Sequence, residues 1–296
     1  MAIRKNVRNL SSSEKQELVQ AILALKDNNR PGNRWNYYVT THAQMSVVRT
    51  PSNSPRTQPH GGPAFLVWHR YFTYLLERDL QQVSGNSNLA LPYWDWTQDG
   101  VNSPLWNDDF LGGNGDTTDG SFVLKSGPFR AGNWTIVNEA GNPITYPDNR
   151  FNGALKRSFG RDIASLPTSS DINNAIYLRT YSAPPWDQNT PNIASNAIEG
   201  YINNSPNIHN RVHRWIGQTT RTSVAPNDPA FFIAIHTNVD RLFARWQSGN
   251  GFNNYLPTSS DVYRHNLSDP MLPWNVTPQS TLDYINDLGY SYDFLR

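Results

Sequence analysis

Six of the seven histidines in this chain fall into two groups of three, and this distribution constrains the fold more than any other feature. The groups are His42, His60 and His69, and His209, His213 and His236. A buried imidazole nitrogen needs a partner, and a metal would satisfy six of these nitrogens together. A single histidine on an apolar face is more often a hydrogen-bonded core residue, but six in two groups favour a metal site. His265 belongs to neither group, and we expect it at the surface.

Helical periodicity places most of these histidines on inward faces. His209 and His213 are four residues apart, so on a helix their rings point the same way. His236 lies in an apolar stripe with Phe232, and His69 would open a helix just after an apolar run. A capping-box pattern predicts a helix from residue 11. Further helices are predicted over residues 37–48, 68–83, 171–178, 193–203 and 207–216, and from residue 228 onward.

The remaining segments lack a persistent period. Residues 100–191 are rich in Gly, Asn, Asp and Pro, which predicts long loops with short strands. The last fifty residues also read as loop. Ten Trp, fourteen Tyr and twelve Phe provide ample material for a core. The sequence therefore predicts one mainly helical domain over residues 1–296.

Composition excludes several classes of function. The formal net charge is +1 and only 17% of residues are charged, which gives no reason to expect nucleic acid as a partner. The apolar runs are too short to span a membrane. The absence of cysteine excludes disulfides, cysteine-ligated metals and thiol catalysis. The N-terminus lacks the apolar segment of a secretory signal, so we expect a cytoplasmic protein, with export by another route left open.

The donor types narrow the choice of metal. Both groups consist of imidazole, with no carboxylate at ligand spacing inside them. Imidazole binds copper, zinc, iron and nickel, whereas di-iron bundles use glutamates and Glu-x-x-His pairs. Zinc on three histidines is an alternative at this point. Two sets of three neutral imidazoles fit a copper pair better, because they can hold both Cu(I) and Cu(II).

Several segments resemble the copper motifs of type-3 copper proteins. The first motif is HGGPAFLVWHR at residues 60–70, followed by PYWDW at 92–96. The second comprises HNRVHRW at 209–215, NDPAFF at 227–232 and HTNVDR at 236–241. With LGYSYD at 288–293, these segments make nearly the whole chain similar to the short bacterial tyrosinases.

The resemblance implies a mainly α fold, in which a four-helix bundle holds a dicopper centre, with long loops and a few short strands. The first group of histidines would hold one copper and the second group the other. The two coppers would bind O2 as peroxide, hydroxylate monophenols at the ortho position and oxidise o-diphenols to o-quinones. The implied partners are O2 and small phenols such as tyrosine and catechols. A homodimer and a copper-delivery partner are left open.

The resemblance also assigns roles around the metals. Glu199 and Asn210 match the pair that in bacterial tyrosinases holds a water, which is proposed to deprotonate the phenol. The alternative for Glu199 is a solvated helix carboxylate. Asp240, one helical turn after His236, would orient a ligand or pair with a nearby arginine, Arg241 or Arg214. Phe232 would pack against the ligand rings or simply in the core.

The substrate entrance is expected at Tyr201, Pro206, Arg214 and the loop 218–224. No C-terminal capping domain is recognisable, so we expect an open site. Many family members have a histidine next to the copper ligand at the position where this chain has Ile235. The substitution leaves open whether His236 keeps the hydrogen bond that such a histidine would provide, and with it the substrate preference.

Three alternatives to a tyrosinase remain at the level of sequence. An o-aminophenol or catechol oxidase with weak monophenol hydroxylation would use the same site. A haemocyanin-like O2 carrier would use the same six histidines, but carriers shield the metals with an additional domain. A dizinc hydrolase is disfavoured, because no carboxylate is placed as a bridge or general base.

Overall fold

The structure is a computed structural model that describes residues 1–26, 34–144, 153–201, 207–258 and 262–295. The helices are α1 (Ser12–Lys26), α2 (Arg34–Met45), α3 (Phe65–Ser84), α4 (Ser169–Ile176), α5 (Ala194–Glu199), α6 (His209–Ile216) and α7 (Thr237–Asn250). Two strands, β1 (Ala2–Arg4) and β2 (Tyr290–Tyr292), pair in parallel. The mainly helical fold predicted from the sequence is confirmed. The prediction of one domain over the whole chain stays a prediction.

The capping box at the start of α1 is present. Ser11 Oγ accepts a hydrogen bond from the Glu14 N–H, and the Glu14 carboxylate accepts one from the Ser11 N–H. This reciprocal pair satisfies two backbone donors that a helix N-terminus leaves without partners. The buried face of α1 packs against α3.

Helix α3 begins at Phe65 and not near Trp68, so His69 lies one turn inside the helix instead of opening it. Every residue from Ala64 to Arg70 is buried. A helix buried on all sides shows no amphipathic period, and the sequence therefore gave no signal for its first turn. The helix ends at Ser84, and the next residue, Gly85, has a φ of 73°, the left-handed conformation that favours glycine.

The segment before α7 is a π-helical turn over Phe231–His236. The prediction placed an ordinary helix start at Asp228-Pro229. Here the Thr237 N–H bonds to the Phe232 carbonyl, five residues back, so the turn is one residue wider than in an α-helix. Continuous with α7, this π turn positions the last histidine of the second group.

Aromatic side chains fix the helices around the histidines. Tyr38 of α2 and Phe72 of α3 lie with ring centroids 5.3 Å apart, and Phe232 of the π turn lies 5.3 Å from Phe72. Trp68 adds a further contact with Phe72 at 4.8 Å. Such pairs contribute about 0.5–1.5 kcal/mol each beyond the burial of their area.

The loop-rich prediction for residues 100–191 is confirmed for its described part, where α4 is the α-helix and short bridges such as Val123–Lys156 replace long strands. Among the described residues after α7, the regular elements are a 3-10 turn over Pro278–Thr281 and β2, neither of which the sequence predicted. Pairing of β1 with β2 brings the two ends of the described chain together, with Arg4 opposite Tyr292. Among the described helices, none combines the length and apolar character needed to cross a membrane.

Candidate metal centre

The structure brings each group of three histidines together. Within each group, one nitrogen from every ring lies within 4.8 Å of the others. The first triad is His42, His60 and His69, and the second triad is His209, His213 and His236. The grouping predicted from the sequence is therefore confirmed as a spatial arrangement that could hold two metal ions.

Four helical elements and one loop position these rings. His42 is on α2, His69 on α3, and His209 and His213 lie one turn apart on α6. The π turn ends with His236. His60 alone of the six lies outside a helix, on the loop 50–64 between α2 and α3. Regular backbone therefore fixes five of the six rings.

Backbone carbonyls orient the rings through Nδ1. The acceptor is the Ser223 carbonyl for His42, the Phe65 carbonyl for His69, the Glu199 carbonyl for His209, the Thr220 carbonyl for His213 and the Phe231 carbonyl for His236. Because a carbonyl oxygen can only accept, Nδ1 carries the proton and Nε2 keeps a free lone pair. Five rings therefore present Nε2 as a metal ligand.

The free Nε2 atoms fit metal ions. The Nε2 atom of His209 lies 3.0 Å from that of His213 and 3.1 Å from that of His236. The lone pairs of proton-free nitrogens repel each other at these distances. A cation bound by all three nitrogens would remove this repulsion. In the first triad, Nε2 of His42 and of His69 is buried, and no group in the described part of the chain forms a hydrogen bond with it. A buried polar atom of this kind requires a partner, and a metal provides it.

The rings are in the protonation state that binds metal. Burial lowers the pKa of His42 and of His213 to about 4. It also holds the pKa of the other four well below their usual range, with neighbouring histidines as the second cause. All six imidazoles are therefore neutral at neutral pH, as a Cu(I) or Cu(II) ligand must be.

The ring that packs against the ligands is Phe231, and of the two roles considered for Phe232, packing in the core is the one that the structure supports. The Phe231 centroid lies 3.9 Å from that of His236 and 4.9 Å from that of His42. Phe232 instead contacts core rings such as Phe72. In a π turn, a side chain lies next to the one five residues before it instead of four, so the neighbour of His236 is Phe231 and not Phe232.

Asp240 is buried and does not pair with Arg241 or Arg214, the two partners expected from the sequence. Its carboxylate accepts hydrogen bonds from Arg4 at 2.9 Å and from Arg70 at 2.5 Å. Tyr290 and Tyr292 donate their hydroxyls to the same carboxylate. Asp240 thereby connects α7, one turn after His236, to α3 next to His69 and to both strands. We define these five residues as the Asp240 network.

Glu199 and Asn210 both contact the ring of His209. Its Nδ1 lies 3.2 Å from the Glu199 carbonyl and 3.0 Å from Asn210 Oδ1. The Glu199 carboxylate is fully buried, and burial raises its pKa to about 8 despite a hydrogen bond from the Gly61 N–H. The alternative of a solvated carboxylate is therefore wrong. Gly200 permits this packing, since a Cβ there would lie 3.1 Å from Asn210 Cβ.

A cleft of about 460 Å³ opens over the two triads. Arg214 and residues 220–223 of the loop 218–224 line it, as expected for the entrance, and Asn210 lines it as well. Tyr201 lines a neighbouring cavity of about 470 Å³ instead, and its hydroxyl bonds to the Asn210 side chain. Pro206 lies outside the described residues.

Two further residues complete the surroundings. The expected surface position of His265 is wrong, because the residue is fully buried, with its ring against the loop 50–64. Ile235 is buried in the π turn. Since the Phe231 carbonyl already orients the ring of His236, the ligand does not need a second histidine at position 235 to fix its tautomer.

Comparison with known proteins identifies this arrangement. The profile of the common central domain of tyrosinase matches residues 32–249. The chain is 38% identical over 297 residues to a tyrosinase of Streptomyces antibioticus, which covers 99% of this chain and 100% of the relative. The described fold is also similar to that of a polyphenol oxidase from Thermothelomyces thermophila, with a TM-score of 0.72 and 20% identity over 99% of this chain and 88% of that one.

A functional unit of octopus haemocyanin shares the fold as well, with a TM-score of 0.62 and 22% identity over 100% of this chain and 69% of that one. Likeness at this level of identity concerns the fold alone, whereas the sequence match to the Streptomyces enzyme extends over both chains. Family membership implies a dicopper centre, and each residue of the two triads offers one imidazole nitrogen for it. The chain therefore belongs to the tyrosinase family of copper-dependent monophenol monooxygenases and o-diphenol oxidases.

Proposed function

We propose that this enzyme hydroxylates small monophenols such as tyrosine with the help of a water held by Glu199 and Asn210. Copper bound by the triads supplies the one-electron steps that activate O2. A monophenol must first lose its hydroxyl proton, and the surrounding side chains have to receive it. We assign this task to Glu199 and Asn210, which both adjoin a ligand of the second triad: the Glu199 backbone carbonyl and Asn210 Oδ1 contact His209 Nδ1.

One observation carries the proposal: the two oxygens of the Glu199 carboxylate differ. Oε1 accepts a hydrogen bond from the Gly61 N–H at 2.8 Å, whereas Oε2 is buried and has no partner among the described residues. A buried carboxylate oxygen needs a hydrogen bond. A water between Oε2 and the substrate would satisfy it and would pass the phenolic proton to Glu199.

The raised pKa of Glu199 makes this transfer easier. A phenol such as tyrosine has a pKa near 10 and an ordinary glutamate one near 4.3, so the proton transfer is strongly uphill. In the metal-free protein, burial raises the Glu199 pKa to about 8, which brings it much closer to the pKa of the phenol. General-base catalysis is most efficient when the base is matched in this way, and it contributes about 10²–10⁴ in rate.

The test is Glu199→Gln, assayed with tyrosine and with catechol. Glutamine can still accept from Gly61 through its amide oxygen, but it cannot take a proton. We expect hydroxylation of tyrosine to fall about 10²-fold or more, with catechol oxidation changed only a few-fold and both coppers still bound. Glu17→Gln, on α1, is the matched control and is expected to affect neither reaction.

The pattern of loss decides between roles for Glu199. Catechols are more acidic and can deliver a proton themselves, so they depend less on the water. Equal loss on both substrates would assign Glu199 a purely structural role through Gly61. Unchanged activity on tyrosine would remove Glu199 from the proton path, and a wild-type enzyme active on catechol but inactive on tyrosine would favour a catechol oxidase.

A further inference from the structure

The seventh histidine, His265, has both ring nitrogens bonded although it belongs to neither triad. The Ala64 N–H lies 3.3 Å from His265 Nδ1, which must accept, so the proton of the neutral ring is on Nε2. Nε2 then donates to Thr50 Oγ1 at 2.7 Å. Burial keeps the ring neutral, because it lowers the pKa of His265 to about 3, with Arg56 as a second cause.

Both partners of His265 lie on the loop that carries His60. Thr50 and Ala64 stand at opposite ends of the loop 50–64, so the ring bridges these ends. The His265 ring also packs against the loop at Gly62. A Cβ at Gly62, two residues after His60, would lie 3.0 Å from His265 Cε1. The loop backbone therefore packs closely against the imidazole ring of His265.

His60 depends on its loop more than any other member of the triads. The other five rings are oriented by a carbonyl on Nδ1. Within the described ranges, the partner of His60 Nδ1 is Ser46 Oγ at 3.5 Å, the outer limit of a hydrogen bond. Its place is set by backbone bonds within the loop, such as that from the Thr57 N–H to the His60 carbonyl at 2.9 Å.

The C-terminal part of the chain holds His265 in turn. Tyr255 donates its hydroxyl to the His265 carbonyl at 2.7 Å. The same region contacts the loop a second time, because the Gln58 side chain donates to the Arg264 carbonyl at 2.6 Å and accepts from the Leu272 N–H at 2.6 Å. Residues far from the triads in sequence thus fix the one loop that carries a ligand.

We propose that His265 is a positioning residue for copper at the first triad, acting through the loop 50–64. Loss of its hydrogen bonds frees the ends of the loop, so that His60 spends less time in ligating position. The inference rests on the copper-holding role of the triads and is independent of the proton path through Glu199. Partners one shell beyond a metal ligand typically contribute 10- to 100-fold to metal affinity.

The test measures copper release from the loaded enzyme into excess chelator, followed as copper per chain over time. His265→Phe keeps a ring but removes both hydrogen bonds. Thr50→Val removes one bond at nearly constant shape, and Thr50→Ser restores it. We expect His265→Phe and Thr50→Val to release one of the two coppers about 10-fold faster or more, with wild-type behaviour for Thr50→Ser.

Single-copper backgrounds show which triad is affected. His213→Ala leaves only the first triad complete, and His60→Ala leaves only the second. Thr50→Val is expected to accelerate release in the His213→Ala background and to leave release unchanged in the His60→Ala background. Acceleration in both backgrounds would mean general destabilisation, and acceleration in neither would mean that His265 does not act on the ligand; either result overturns the proposal.

Discussion

Replacement of Asp240 by asparagine tests whether the Asp240 network stabilises the packing of the two ligand-bearing helices. The carboxylate is fully buried and accepts from Arg4, Arg70, Tyr290 and Tyr292. Burial alone would raise the pKa of Asp240, but the two guanidinium groups outweigh it and hold the pKa below its usual range. The charge is therefore fully present at pH 7 and is lost only as the pH falls through that lowered pKa.

The expected cost follows from the charges left behind. Arg4 keeps a second carboxylate, Glu77, at 2.9 Å. Arg70 keeps hydrogen bonds to the carbonyls of Thr281 and Leu282 and its contacts with aromatic rings, but it loses the carboxylate with which it is paired. Removal of one partner from a buried ion pair costs about 3–5 kcal/mol. We expect Asp240→Asn to lower the free energy of unfolding by that amount.

The assay is urea unfolding of metal-free protein at pH 7, followed by far-UV circular dichroism, so that copper binding does not contribute. Asp119→Asn is the matched control, since Asp119 forms an exposed pair with Lys125 at 2.7 Å. Exposed pairs are worth about 0–1 kcal/mol. If Asp240→Asn loses no more free energy than Asp119→Asn, the network is not stabilising and the argument from its burial fails.

Three further outcomes are expected from the triads. His213→Ala should retain about one copper per chain by metal analysis and lose oxidase activity, and a fully active His213→Ala protein would contradict the assignment of the second triad. Lowering the pH should decrease the free energy of unfolding of the metal-free protein. The decrease begins at about pH 6.5, where histidines of the unfolded chain take up protons. It ends at about pH 4, where His42 and His213 take up protons in the folded state as well. Each of these two rings contributes on the order of 3 kcal/mol to that loss. Copper occupancy in a chelator should fall as the pH approaches about 4, because protons then compete with metal for the same nitrogens in the folded protein. Stability that stays constant between pH 7 and pH 4.5 would refute the burial of neutral rings.

The sequence by itself determined the two triads and most of the helices that carry them. The four-residue spacing of His209 and His213 fixes a shared face as soon as the segment is helical, and the capping box at Ser11 fixes where α1 begins. Both are local relations, which depend on a few consecutive residues and on the geometry of one helical turn.

Tertiary structure decided what lies around the triads. Asp240 takes its partners from Arg4 and Arg70, which are 236 and 170 residues away in the chain, instead of from neighbours on its own helix. His265 is buried because irregular loops close over it, and loops carry no period from which burial could be predicted. The π turn places Phe231 beside the ligands, since its extra residue shifts the side-chain register by one position. A prediction based on 3.6 residues per turn assumes an α-helix and therefore misses that shift. The wider turn forms where the segment packs between the neighbouring helices.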